Sequence, residues 1–185
     1  MFGKKVQYDC VYEALATATI RTADCSHWLD LPLIGVGENF QSYRVPGSLT
    51  DNEIIDYYKF AVDDWSASVT SPLNTDVIYN DKSIAPFANM IHNKTMKFGC
   101  WHLQCSDAKK LSIACVYDNL PKEGEPLYSA DSTGKKGCTT DSPCKKVVKG
   151  AVCSTDSEGN KGPLCEIAPA STAAPSSSTE PSVEA

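Results

Sequence analysis

The chain has 185 residues, enough for one domain with appendages, and its 42% hydrophobic content is enough to build a core. A net charge of −6 denies it the basic face that nucleic-acid binding needs. Nine cysteines point to an oxidising compartment. No apolar run approaches the ~18 residues of a membrane span. The opening MFGKKVQYDC is too short and too polar for an export signal. A disulfide-rich chain without such a signal is a contradiction. The expectation is that the natural N-terminus lies upstream, with a partner there for the odd cysteine.

Residues 6–22 carry Val11, Leu15 and Ala18 at helical spacing, and Ala14 and Ala16 add propensity. Pro32, Gly35, Gly37, Pro46 and Gly47 then forbid a long regular element. Thr50 and Glu53 form a capping box, and Ile54, Tyr58, Ala61, Val62 and Trp65 follow as a helix. Tyr57, Tyr58 and Phe60 belong to that helix's core and rim. Ser71-Pro72 ends the pattern, and residues 72–83 read as a polar loop. Residues 85–92 allow a short helix with Pro86 in its first turn.

Residues 98–119 organise the chain. Trp101–Cys105 and Leu111–Tyr117 read as hairpin arms joined by the polar turn Ser106–Lys109. Leu111, Ile113, Cys115 and Tyr117 alternate with Ser112, Ala114 and Val116, a strand buried more heavily on one face. Cys100 and Cys115 lie on opposite arms, and a bridge between them would lock the register. Cys105, at the turn end, is free to reach an earlier cysteine.

After Asn119 the apolar pattern stops. Cys138, Cys144, Cys153 and Cys165 sit among Lys, Gly, Ser and Asp, in a segment that must be stapled by two disulfides. Their connectivity is open. Zinc is the competing use of four cysteines, but spacings of six, nine and twelve residues contain no CxxC knuckle. Residues 167–185 are rich in Ser, Thr, Pro and Ala and read as a disordered tail. The expected organisation is therefore a domain over 1–119, a cysteine-rich hinge over 120–166 and the tail over 167–185. Asn93-Lys94-Thr95 is an N-glycosylation acceptor, expected in an exposed position after the short helix.

Several of these stretches together resemble the CAP superfamily, which includes the sperm-coating and plant pathogenesis-related group-one proteins. They are Gly37–Phe40 (GENF), residues 83–105, Ala114–Asn119 (ACVYDN), and the trailing cysteine pattern. The likeness is greatest to the activation-associated secreted proteins of parasitic nematodes such as hookworms. Tyr8–Cys10 resembles the family's second-helix signature. The resemblance covers roughly residues 4–166. It implies an α+β fold, a three-layer α-β-α sandwich with a central antiparallel sheet. The family's first helix, with its HN-x-x-R motif, is not in this sequence, so one sheet face is expected to lack its cover. The resemblance also implies bridges Cys25–Cys105 and Cys100–Cys115. The first would close about 80 residues, worth roughly 4 kcal/mol in a chain-entropy account.

Many family members hold a divalent metal with two His and two Glu, ligands that zinc accepts. Matched residue by residue, Glu38 takes one Glu position and His27 the first His. The second Glu falls on Ser68, three residues after Trp65. The second His falls on Pro86, fourteen before Cys100. The family tryptophan of that segment falls on His92. Two of four ligands are thus lost, so no metal or other cofactor is expected. His27 also reads as a loop residue and Glu38 as an acceptor of backbone amides. His92 reads as a solvent-facing helix end, and His102 as a sheet-surface residue. No free thiolate lies beside a base, and no Gly-rich phosphate loop or Ser-His-Asp elbow is present. The resemblance implies a secreted, non-enzymatic glycoprotein of a parasitic nematode, acting through its surface on a host or self cell-surface protein. Lipid or sterol carriage is the alternative, with Leu31–Ile34 as an exposed-looking apolar candidate. A metal-dependent hydrolase would need the missing ligands.

Overall fold

The computed structural model describes residues 6–69, 78–128, 138–147, 149–155 and 159–167. The tail expected over 167–185 lies outside these residues except for Ile167, as does half of the polar loop expected over 72–83.

Strands β3 (Lys97–Cys105) and β4 (Lys110–Tyr117) pair antiparallel, with Cys100 directly opposite Cys115 and the two bridged. Strand β2 (Gly37–Arg44) pairs antiparallel with the other edge of β4, Gly37 opposite Tyr117 and Arg44 opposite Lys110. The two-residue strand β1 (Gln7–Tyr8) adds to β3 in parallel, giving the order β1-β3-β4-β2. The sheet is therefore mixed, antiparallel except at that short edge.

Both faces of β4 are buried, so the one-sided burial read from its alternation is corrected. Ala114 and Val116 pack with Ala16, Ile20 and Leu31, under helix α1 (Cys10–Thr19). Leu111, Ile113, Cys115 and Tyr117 pack with Ala61 and Trp65 of helix α2 (Asp51–Ser66) on the other side. The three-layer sandwich expected from the resemblance is the observed one. The expected bare face is not: each face has a helical layer on it. Helix α3 (Ala85–Ile91) carries Pro86 in its first turn and packs beside β2.

Local signals explain the helix ends. Thr50 Oγ1 accepts from the Glu53 amide, and the Glu53 carboxylate accepts the Thr50 amide at 2.7 Å. That backbone bond holds the Glu53 carboxyl below its ordinary range. The Asp9 carboxylate accepts from Val11 N at the start of α1 and from Lys97 Nζ at 2.7 Å. Lys97 is the main reason its carboxyl sits below the usual range.

The stripe read on α1 was Val11, Leu15 and Ala18. In the structure Val11 is 64% exposed and Ala18 is exposed, while Ala16 and Thr19 are buried. Gly99 gives the reason. A Cβ there would lie 2.1 Å from the Glu13 amide nitrogen and 2.7 Å from the Asp9 carbonyl oxygen. The first turn of α1 thus rests on bare backbone of β3, and this contact sets the helix rotation. Cys10 is exposed and is the one cysteine without a disulfide.

A smaller group of elements follows: α4 (Asp141–Val147), β5 (Ala151–Thr155) and β6 (Lys161–Ile167). Its buried cluster is Cys138, Cys144, Cys153, Cys165 and Ala151. Bridges Cys138–Cys153 and Cys144–Cys165 run through it. Asp141 accepts from Cys153 N at 3.0 Å and from Lys161 Nζ at 2.6 Å, tying the helix to both strands.

Gly99→Ala is expected to cost about 3 kcal/mol or more, because backbone on both sides of the contact must move. The urea midpoint measures it. A loss below 1 kcal/mol, near the noise of ordinary surface changes, would show that α1 does not rest on β3 as described.

Candidate functional site

The loop between α1 and β2 is bound to the sheet at several points. Cys25 takes a backbone φ of +55° and is bridged to Cys105. Its carbonyl accepts from the buried Ser112 hydroxyl at 2.6 Å. Leu31, at 1% exposure, is a core residue, which corrects its expected exposure. Ile34 is 70% exposed, and Trp28 and Leu29 are 63% and 42% exposed. The Arg21 guanidinium lies over the Trp28 ring, 4.5 Å from its centroid.

This loop brings His27 to Glu38. His27 Nε2 lies 2.9 Å from Glu38 Oε1, and the His27 ring packs against Phe40. The Glu38 side chain is only 4% exposed, that of His27 40%. The second carboxylate oxygen of Glu38 accepts from the Leu31 amide at 3.3 Å. A buried carboxylate needs such partners, since an unpaired charge in the interior is costly.

The other two positions of the expected tetrad supply no comparable donor. Ser68 donates its hydroxyl to the Trp65 carbonyl at 2.8 Å. Pro86 offers only its backbone carbonyl, which accepts from Asn39 Nδ2 at 2.8 Å. Among the described residues the close group of three potential metal-ligating side chains is Cys138, Cys144 and Cys153, whose sulfurs are spent in disulfides.

The remaining histidines differ from expectation. His92 is 4% exposed rather than solvent-facing, because the turn it begins is covered by residues 118–127. His102 is half-buried. Its Nδ1 lies 3.1 Å from the Tyr58 hydroxyl, and its ring stacks on Trp101. Burial pushes the Tyr58 hydroxyl up to about 12 and lowers His102 below its ordinary value. The expected exposure of the glycosylation acceptor is also corrected. Asn93 is half-buried with its Oδ1 atom buried, and Thr95 is 1% exposed.

Two residues that sequence reading missed join the layers. Asn89 Nδ2 donates to the Glu38 carbonyl and to Asn39 Oδ1, both at 2.9 Å. Asn39 and Asn89 are 2% and 4% exposed. A Cβ on Gly37 would come within 2.9 Å of Asn89 Oδ1. The available signal was an asparagine inside the otherwise apolar stretch Ala85–Ile91.

The site is therefore a His27–Glu38 pair at the start of β2, set in a disulfide-tied α-β-α sandwich. The family model described as the Cysteine-rich secretory protein family, CAP, matches residues 4–117, and the chain belongs to that family. No curated protein matches the chain in sequence. Among solved structures, Na-ASP-1 superposes with a TM-score of 0.70 at 22% identity, over 91% of this chain and 38% of that one. The hookworm platelet inhibitor gives a TM-score of 0.61 at 21% identity, over 89% of this chain and 77% of its own. The manganese-bound Ac-ASP-7 gives 0.57 at 22%, over 89% and 71%. At these identities the likeness is one of fold. The chain spans little more than a third of Na-ASP-1.

His27→Ala leaves the buried Glu38 carboxylate with the Leu31 amide alone. Stability is expected to fall by about 1–3 kcal/mol. Adding Glu38→Gln removes the stranded charge and is expected to recover part of the loss. Urea unfolding of the two variants measures this. A double variant less stable than the single one would show that charge is not the quantity being balanced.

Proposed function

We propose that the protein is a secreted, non-enzymatic recognition protein of a parasitic nematode, acting on a host or self cell-surface protein through its surface. The reading is supported by membership of a secretory family, by four disulfides, and by fold neighbours that include a hookworm platelet inhibitor. The observation that carries it is the state of the four-ligand set. His27 and Glu38 hold each other, Ser68 is turned to a backbone carbonyl, and Pro86 has no side-chain donor. A tight zinc site needs three or four donors. Two that are already paired are too few, so the residues do not fit a structural or catalytic metal.

Lipid or sterol carriage is a second reading, favoured by one observation. Trp28, Leu29 and Ile34 expose large apolar side chains around the buried anchor Leu31. Such a rim could bear on an apolar ligand.

Three measurements separate these readings. Calorimetric titration of zinc is expected to give no one-to-one isotherm of sub-micromolar affinity. A nanomolar isotherm abolished by His27→Ala would revive the hydrolase reading. Labelled protein is expected to bind host cells saturably. Saturable sterol binding together with an absence of cell binding would favour the carrier.

A further inference from the structure

The turn after α3 is built on polar groups that packing keeps dry. Among the described residues neither nitrogen of His92 has a hydrogen-bond partner. Asn93 Oδ1 and Thr95 Oγ1, on the same turn, are also buried without one. Buried polar groups are normally paired, so three such side chains in four residues is a departure that calls for a reason.

The turn is held from outside. The Asn93 amide donates to the Leu127 carbonyl at 2.7 Å. The Asn119 side chain donates to the Lys94 carbonyl at 3.1 Å. Lys94 Nζ pairs with Glu125 at 2.7 Å, and the Met96 amide donates to Asp118 at 2.9 Å. Residues 92–96 are thereby docked on residues 118–127. The charged groups acting on His92 are Lys94 on its own turn and Glu125 and Asp118 opposite. Both carboxylates are already engaged. A proton added to the ring would make a buried cation with no acceptor committed to it.

We propose that this turn is an acid-released latch. At neutral pH the uncharged His92 ring keeps residues 92–96 docked on 118–127. Protonation in an acidic medium frees the turn and uncovers Asn93-Lys94-Thr95.

Burial, and secondarily Lys94, holds the docked His92 ring below its ordinary value of 6.5. Once the turn opens, the ring meets water and returns to about 6.5. The open turn therefore takes the proton first, and falling pH favours it. The docked turn keeps its full stability above pH 6.5. It loses stability as pH falls, with the opening constant rising by up to about tenfold per pH unit until the docked ring itself protonates.

Native-state hydrogen exchange at the Asn93 and Thr95 amides, corrected for intrinsic rate, reads this opening. In the wild-type protein both opening constants are expected to rise at least fivefold between pH 7 and pH 5. Leu111, in the central strand, reports global unfolding and is expected to rise less. His92→Phe keeps an aromatic ring that cannot be protonated and is expected to flatten the rise to under twofold. A flat wild-type profile, or an equal rise in His92→Phe, overturns the proposal. Should His92→Phe fail to fold, the wild-type His92 ring is titrated by proton NMR instead. A midpoint below 6.5 that coincides with shifts of the Asn93 and Thr95 amides supports the latch, and a midpoint at or above 6.5 overturns it.

Discussion

A strand that water can reach on neither side places everything around it. Strand β4 is buried from Leu111 to Tyr117, and it has strands on both edges. Its even-numbered residues need one apolar cover and its odd-numbered residues another. Helix α1 answers the first need and helix α2 the second. The two disulfides of this unit divide in the same way, Cys105 with the α1 face and Cys115 with the α2 face. A slip of one residue in β4 would turn both sets to the wrong layer and separate Cys115 from Cys100.

The site follows from the same sheet. Alternation along β2 sends Phe40 into the α1 face and leaves Asn39 to meet α3. Glu38, two residues from Phe40, shares its side of the strand and finds His27 there. A carboxylate in that position must be paired, and the loop from Ile20 to Gly37 is drawn onto the sheet by the pairing. What resembles part of a metal-binding set therefore behaves as a clasp between a loop and a strand. Such a clasp shapes the surface around Trp28 and Ile34.

Much of this was legible where the determining contacts are local. The hairpin, with its turn at Ser106–Lys109 and its Cys100–Cys115 register, could be read from alternation over a few residues. So could the start of α2 at Thr50, where side chain and amide lie three positions apart. The face of α1 could not, because the rotation of that helix is decided by Gly99, far along the chain. His92 looked like a wet helix end because nothing near it in sequence announces that residues 118–127 will cover it. Asn39 and Asn89 are each unremarkable alone. Their meaning lies in each other, and only the folded arrangement of β2 and α3 brings them together. Leu31 and Ile34 were read as one apolar stretch, yet a short 3₁₀ turn sends one into the core and the other into solvent.

The small unit around α4, β5 and β6 has an unusual interior. Apart from Ala151, its buried cluster is made of the four half-cystines. In the larger unit, sulfur staples a core that Leu, Ile and Val would still form. Here, among the described residues, sulfur makes up most of the core. A reducing environment would therefore do more than loosen this unit: among the described residues, Ala151 is the only other buried apolar side chain there. Its stability is expected to follow electron potential, much as a zinc finger's follows zinc. The two parts of one chain are thus expected to respond to thiols on separate scales, the second the more sensitive.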